Sequence, residues 1–337
     1  MELRLGTRGS QLALWQASAV AARIAAASGP PCRIIVIKTS GDRLQDAPLS
    51  EVGGKRLFVK EIEDALIRNE IDLAVHSSKD MPAVLPDGLV IAAVLPREDP
   101  RDAVVLPSQV GQKPTTSGVS GGSSRPAIET IDDLVAALGQ GPSIGTGSVR
   151  RIAQLTRLFP GARFTPIRGN LDTRLRKLDE GAHDALVLAA AGLRRLGFAD
   201  RISCALPPAA CVPAPGQGIV AVECRAGDAR VREIGSRIDD PAAGAALDAE
   251  RALVEALGGG CQTPVGALAT LDGGTMELVA AVIALDGSKA LRAQATAPRG
   301  DAAALGRAVA ADLLAQGADE ILANARRVPG AVEGIQP

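Results

Sequence analysis

From the N-terminus to about Ala189, short apolar runs alternate with stretches of helical spacing. Leu3 and Leu5 begin a strand that turns through Gly6-Thr7-Arg8-Gly9-Ser10 into a helix over 12–27, closed by Gly29-Pro30-Pro31. A strand over 33–39, a loop, a helix over 58–67 and a strand over 71–75 follow. A β-α-β-α-β order requires crossover helices and therefore predicts a parallel sheet. After the Pro-bounded connector Pro96–Pro100 the pattern restarts. Strands over 102–106, 142–145, 163–167 and 185–189 then alternate with helices over 131–138, 149–158 and 171–178. The Pro- and Gly-rich segment 207–218 suits a return crossing, and 219–223 reads as a strand rejoining the first sheet. Two α/β lobes are therefore expected, one built from 1–96 with 219–237, the other from 101–213. From about Pro241 the pattern changes to an Ala-rich helix, a glycine loop, three strands (266–271, 276–284, 290–297) and one final helix over 302–325. This is a small α+β domain spanning 241–330. Residues 107–126, rich in Ser, Gly, Thr and Pro, read as a flexible surface insertion.

Composition excludes several function classes. With 337 residues, 46% of them hydrophobic, and a net charge of −1, the chain has no global attraction to nucleic acid or membrane. Four Phe, one Trp and no Tyr argue against stacking platforms for bases. The five cysteines are odd in number, widely spaced and lack a CxxC pair, which argues against a disulfide framework or a zinc site and for a reducing compartment. The N-terminus has no apolar signal core, and no apolar run is long enough to span a bilayer. A soluble cytoplasmic protein is expected, with no nucleic acid, membrane or metal.

The strand over 71–75 ends in His76-Ser77-Ser78-Lys79-Asp80, and Pro82 stops any regular continuation. Ligands of open α/β sheets sit at the carboxyl ends of strands, so a carboxylate beside an ammonium suits a charge-handling site at this position. A solvated turn with a chance Lys-Asp pair fits the same residues. Arg8 and Ser10 lie at a strand end against a helix N-terminus, an anion-binding arrangement, although Ser10 also serves simply as a cap. The loop after Leu49, with Lys55 and Lys60 around Phe58, reads as a lid over a cleft or as a helix start with exposed lysines. In the second lobe Thr146-Gly147-Ser148-Val149-Arg150-Arg151 and Arg168-Gly169-Asn170, with Arg174, occupy two successive strand ends and converge on an arginine-lined pocket. Arginine grips carboxylate or phosphate with a planar fork. A nucleic-acid reading of the same cluster lacks its stacking aromatics. Cys261 follows three glycines, which let backbone approach a bound group closely, so its thiol is a candidate nucleophile or covalent anchor, or else part of a plain glycine turn. The only histidines are His76 and His183, and neither is close to it in sequence.

Taken in order, these motifs resemble the porphobilinogen deaminase (hydroxymethylbilane synthase) family over nearly the whole chain. The matching stretches are Thr7–Gln16, Val52–Glu61, Val75–Pro82, Arg97–Asp102, Ser148–Arg151, Arg168–Asn170, Ala214–Gly218 and Gly259–Gln262. The resemblance implies two lobes like those of type-II periplasmic binding proteins, with the active site between them, and a third small domain. It implies a transferase of tetrapyrrole (heme) biosynthesis that condenses four porphobilinogen molecules, with loss of ammonia, on a covalent dipyrromethane cofactor. Linear hydroxymethylbilane is then released by hydrolysis. Cys261 matches the cysteine that holds the cofactor by a thioether, and Asp80 the catalytic aspartate. The acetate and propionate groups of porphobilinogen fall to Arg8, Arg150, Arg151, Arg168, Arg174 and Arg195, assisted by Ser10, Ser148 and Lys79. Asp42, Ser77, Thr146, Gly169, Asn170 and Gln217 complete the binding set, and Lys55, Phe58 and Lys60 the lid. A monomer is implied. Gly147 stands where many relatives carry Ser, and Ser40 where an Arg is common, so one contact at each position is in question. The competing reading is a non-catalytic anion-binding module on the same two lobes.

Overall fold

A computed structural model describes residues 2–40, 59–108, 128, 130–258 and 263–327. The expectations for Asp42, Lys55, Phe58, Cys261 and most of the 107–126 insertion lie outside these residues. The first sheet has the order β2-β1-β3-β10-β4, formed by β1 (Leu3–Thr7), β2 (Cys32–Val36), β3 (Leu73–Ser77), β4 (Leu89–Val94) and β10 (Val220–Arg225). Helices α1 (Gln11–Ala26), α2 (Lys60–Ile67) and α7 (Ala229–Ser236) accompany it. The second sheet, β7-β6-β8-β5-β9, comprises β5 (Asp102–Val105), β6 (Ser143–Gly145), β7 (Arg163–Thr165), β8 (Ala185–Ala189) and β9 (Cys204–Ala205). Its helices are α3 (Ile131–Leu138), α4 (Val149–Leu158), α5 (Leu171–Asp179) and α6 (Ala190–Arg195).

The sheets are mixed, which corrects the expectation of purely parallel ones. The strand entering each lobe by a crossing, β5 in the second and β10 in the first, runs antiparallel between two neighbours. A chain that leaves one lobe and enters the next needs no crossover helix, so it slots in reversed. The two sheets thus share one plan. The crossings themselves lie close together: a Cβ on Gly218 (φ +89°) would collide with the Glu98 carbonyl oxygen, so only glycine fits there.

The third domain stacks an antiparallel sheet, β11 (Val265–Asp272), β12 (Thr275–Ile283) and β13 (Ala290–Pro298), under helices α8 (Pro241–Ala256), α9 (Ala302–Ala315) and α10 (Ala318–Arg327). The single helix expected over 302–325 is two, because Gly317 takes φ +91° and turns the chain. With aromatics scarce, the cores are aliphatic. Leu5, Val20, Ile24, Leu73 and Val222 fill the first lobe, and Leu134, Ile144, Leu155 and Val187 the second. The third domain joins both. Leu268, Ala281 and Ile283 pack on Ala153 of α4 and on Val212, while Ala243 and Leu247 of α8 pack on Val94 and Ile219.

Candidate active site

Strand β3 delivers Asp80 to its carboxyl end through one tight 3₁₀ turn, Ser78–Asp80. The Ser78 N–H donates to the Ile219 carbonyl at 3.0 Å, and the Met81 N–H to that of Ser78 at 3.1 Å. Gly216, at φ +73°, brings the second crossing against this turn, where a Cβ would come within 2.8 Å of Ser78 Oγ. Asp80 shares a cavity with Arg8, Ser10, Gln16, His76 and Ser77. Among the described residues its carboxylate makes no hydrogen bond and no ion pair; Lys79 acts on it through space. Gln16 of α1 donates to Ser77 Oγ at 2.8 Å. Ser10 Oγ accepts the Ala13 N–H at 3.3 Å, capping α1 and keeping its own O–H as a donor. Behind the cavity the His76 Nε2 lies 3.1 Å from Glu223 Oε2, both side chains buried.

The second lobe brings Arg150 and Arg151 together, but around an internal acid. Asp102, at the start of β5 and 0% exposed, faces both from inside the lobe. Arg150 Nη1 and Nη2 reach its two oxygens at 2.6 and 3.1 Å, and Arg151 Nε reaches Oδ1 at 2.9 Å. Arg150 also donates to the Val212 carbonyl at 2.7 Å, and Arg151 to that of Val187 at 2.8 Å. Much of the hydrogen-bonding capacity of both guanidiniums is spent on Asp102, because a carboxylate buried this deeply needs paired cations. Burial alone would raise the Asp102 pKa, yet Arg150 and Arg151 outweigh it and hold the carboxyl far below the usual range. Gln217 Nε2 donates to Asp102 Oδ1 at 3.0 Å, and its Oε1 accepts from Lys79 Nζ at 3.3 Å. A continuous polar chain therefore runs from the Asp80 turn through the second crossing to the arginines. Ser148 Oγ accepts the Arg151 N–H at 3.4 Å and caps α4, and Thr146 Oγ1 accepts the Ser148 N–H at 3.3 Å. Nearby Cys211 is buried, which pushes its thiol up to about 12 and keeps it protonated.

Four half-buried cations have no carboxylate within ion-pair distance among the described residues: Lys79, Arg174, Arg195 and Arg251. Burial pulls the Lys79 ammonium down to about 8, against the attraction of Asp80 and with the repulsion of Arg151 and Arg150. Arg174 Nε donates to the Gly169 carbonyl at 2.8 Å, and Arg195 Nη2 to that of Gly218 at 2.7 Å. Burial lowers the pKa of both. The Arg195 guanidinium also lies 5.4 Å from the ring centre of Trp15, joining α6 to α1 across the lobes. Arg168 sits half-buried ahead of α5, Asn170 occupies that helix's N-cap without a side-chain cap bond, and Lys60 is exposed at the start of α2. A second cavity, where all three domains meet, is lined by Lys79, Ser148, Arg150, Arg251 and Thr263, the last of these two residues beyond Cys261.

Residues 3–233 match the family model described as porphobilinogen deaminase, dipyromethane cofactor binding domain, and residues 245–315 match the porphobilinogen deaminase C-terminal domain. The porphobilinogen deaminase of Syntrophobacter fumaroxidans is 44% identical over 95% of this chain and 96% of its own. That of Acidithiobacillus ferrooxidans is 46% identical over 96% of this chain and 98% of its own. The chain belongs to the porphobilinogen deaminase family. The first family model takes in both lobes, and the second most of the third domain. Among solved structures, the VFT2 domain of Bordetella pertussis BvgS is similar with a TM-score of 0.38 and 17% identity, over 70% of this chain and 86% of its own.

A dipyrromethane group, which the porphobilinogen deaminase family's cofactor domain is named for, carries several carboxylates. Lys79 and Arg251, which line the second cavity with no carboxylate in ion-pair distance among the described residues, together with the buried Arg150 Nε that has no partner, fit such a group. Motif reading missed Asp102, Gln16 and Arg251 as members of the site. Asp102 ends the Arg97–Asp102 motif, but its role depends on β5 being inserted opposite α4, which no local pattern announces. Arg251 lies on an Ala-rich helix without any local anion-site signal.

Proposed function

We propose that this chain condenses four porphobilinogen molecules head to tail on a dipyrromethane primer held by Cys261, releasing ammonia at each joining, and then frees linear hydroxymethylbilane by hydrolysis. When bound, the dipyrromethane group supplies the pyrrole carbon on which the product chain grows. The observation that carries the reading is the pairing of an uncommitted carboxylate, Asp80, with cations that lack anionic partners. Lys79, Arg174 and Arg195 bind the acetate and propionate groups of the substrate, with Arg8 and Arg168 beside them. Ser10 and Ser148 donate their remaining hydroxyl protons. Asp80 accepts the pyrrole N–H of porphobilinogen and stabilises the positive charge that develops as ammonia leaves. Asp102 fixes the orientation of Arg150 and Arg151, and Arg150 presents its edge to the cavity. No described helix is long and apolar enough to cross a membrane, and the four described cysteines are free. Both observations support reading the chain as a cytoplasmic enzyme, and by the family likeness as a monomer.

The test is the intact mass of the purified protein beside Cys261→Ser. An excess equal to two linked pyrrole units, absent in the variant, followed by steps of one unit on addition of porphobilinogen, is expected. A mass that stays unmodified with substrate overturns the reading. Asp80→Ala should fold and retain the primer but lose most turnover; near-normal turnover would strip Asp80 of its catalytic role.

A further inference from the structure

Arg251 lies on α8, on the face it shares with Leu247 and Val254, and all three line the cavity where the lobes and the third domain meet. One of its bonds is structural: Nη2 donates to the Ala83 carbonyl at 2.6 Å. Ala83 follows the Asp80 turn by three residues and lines the same cavity with Met81. No carboxylate among the described residues pairs with the guanidinium; Asp248, Glu223 and Glu255 act on it only through space, and burial lowers its pKa. Two other arginines, Arg97 between the first crossing and α8 and Arg150 inside the second lobe, are neutralised. Arg97 reaches Glu250 at 2.6 Å, and Arg150 reaches Asp102 at 2.6 Å. A half-buried cation beside apolar Leu247, Val254 and Val265 is costly unless an anion joins it. Across the cavity stand Lys79, Ser148 and Arg150, and Thr263 brings in the chain just beyond Cys261.

We infer that Arg251 is a further binding residue of this site, a third-domain cation that takes a carboxylate of the pyrrole unit anchored at Cys261 while holding the Asp80 turn through Ala83. The inference rests on the proposal that Cys261 carries the primer. It gives the third domain a direct part in seating the anchored unit.

Labelling with phenylglyoxal, mapped by peptide mass, tests this without recourse to activity. Arg251 should react in the primer-free Cys261→Ser protein and be protected in the primer-loaded wild type. Arg251→Met keeps the apolar stem and removes the charge, and Arg251→Lys restores the charge. Arg251→Met should keep a cooperative thermal transition and, made free of primer, should take up the two-unit mass increment from porphobilinogen about tenfold more slowly or worse. Arg251→Lys should recover part of that loss. A residue that serves only as a strut to Ala83 would lower the unfolding temperature of Arg251→Met and leave the loading rate of the folded fraction unchanged. Equal labelling of Arg251 with and without primer, or wild-type loading by Arg251→Met, overturns the inference while the wild type still carries its primer. Absence of any primer on the wild type overturns the function itself, and this inference with it.

Discussion

At the residue scale the site is a set of charges whose partners are unequal. Asp102 is matched by two guanidiniums, whereas Lys79 and Asp80 have no ion-pair partner among the described residues. Lys79 shows the cost. Its folded pKa of about 8 lies below the 10.5 of an unperturbed lysine, so between those values the unfolded chain binds more protons and stability rises with pH. Below about 8 the buried ammonium is a full penalty on the ligand-free fold. Lys79→Met in the primer-free Cys261→Ser background should therefore stabilise the protein by about 1–2 kcal/mol near neutral pH, after discounting for the partly exposed side chain. The gain should fade between about pH 8 and 10.5, as followed by thermal unfolding. The same variant should bind porphobilinogen more weakly. A variant that is less stable at neutral pH would show that the ammonium is solvated and not held in reserve for a carboxylate.

At the element scale, packing depends on a few close approaches. Helices α8 and α9 touch through Gly306, where an added Cβ would collide with the Ala249 carbonyl oxygen and press on Ala252. Gly306→Val should cost about 2–3 kcal/mol by forcing the pair apart, read as a lower urea midpoint with an unchanged slope. The helix starts of the lobes, by contrast, rest on caps. Ser148 holds the first turn of α4, the turn that bears Arg150 and Arg151. Ser148→Ala should lose about 1 kcal/mol and also the hydroxyl assigned to the substrate, so kcat/KM should fall further than stability does. Matching losses of both would confine Ser148 to capping.

At the scale of the whole molecule, one buried carboxylate joins the third domain to both crossings. Glu250 of α8 accepts from Arg97 in the first crossing at 2.6 Å, from the Gly216 N–H in the second at 2.6 Å, and from the Ala269 N–H of β11 at 2.8 Å. Arg97 in turn donates to the Gln217 carbonyl at 2.9 Å. The junction thus ties both crossings to the third domain. Glu250→Ala leaves the Arg97 guanidinium without a carboxylate and two backbone N–H groups without an acceptor, and should cost about 3–5 kcal/mol. Hydrogen exchange at 96–100 and 213–219 should rise well before that of the sheets. Exchange that rises equally everywhere would mean that Glu250 supports the fold as a whole and does not act as a local clasp.

Local pattern alone determined the alternation of strands and helices, the two lobes with their small third domain, and the motifs that mark Asp80, Ser10, Ser148 and the arginine cluster. These are legible because strand period, helix period, caps and glycine turns act over a few neighbouring residues. Tertiary structure alone decided how β5 and β10 enter their sheets in reverse, and that Gly317 splits the last helix by taking a positive φ. It also decided which cations are spent and which are available. Arg150 and Arg251 are the same residue type on similar helices. Both line one cavity, but Arg150 is paired with Asp102 of a distant strand, whereas Arg251 has no carboxylate within ion-pair distance among the described residues. That difference is set by contacts between residues far apart in the chain, where the charge of a side chain says nothing of its partner.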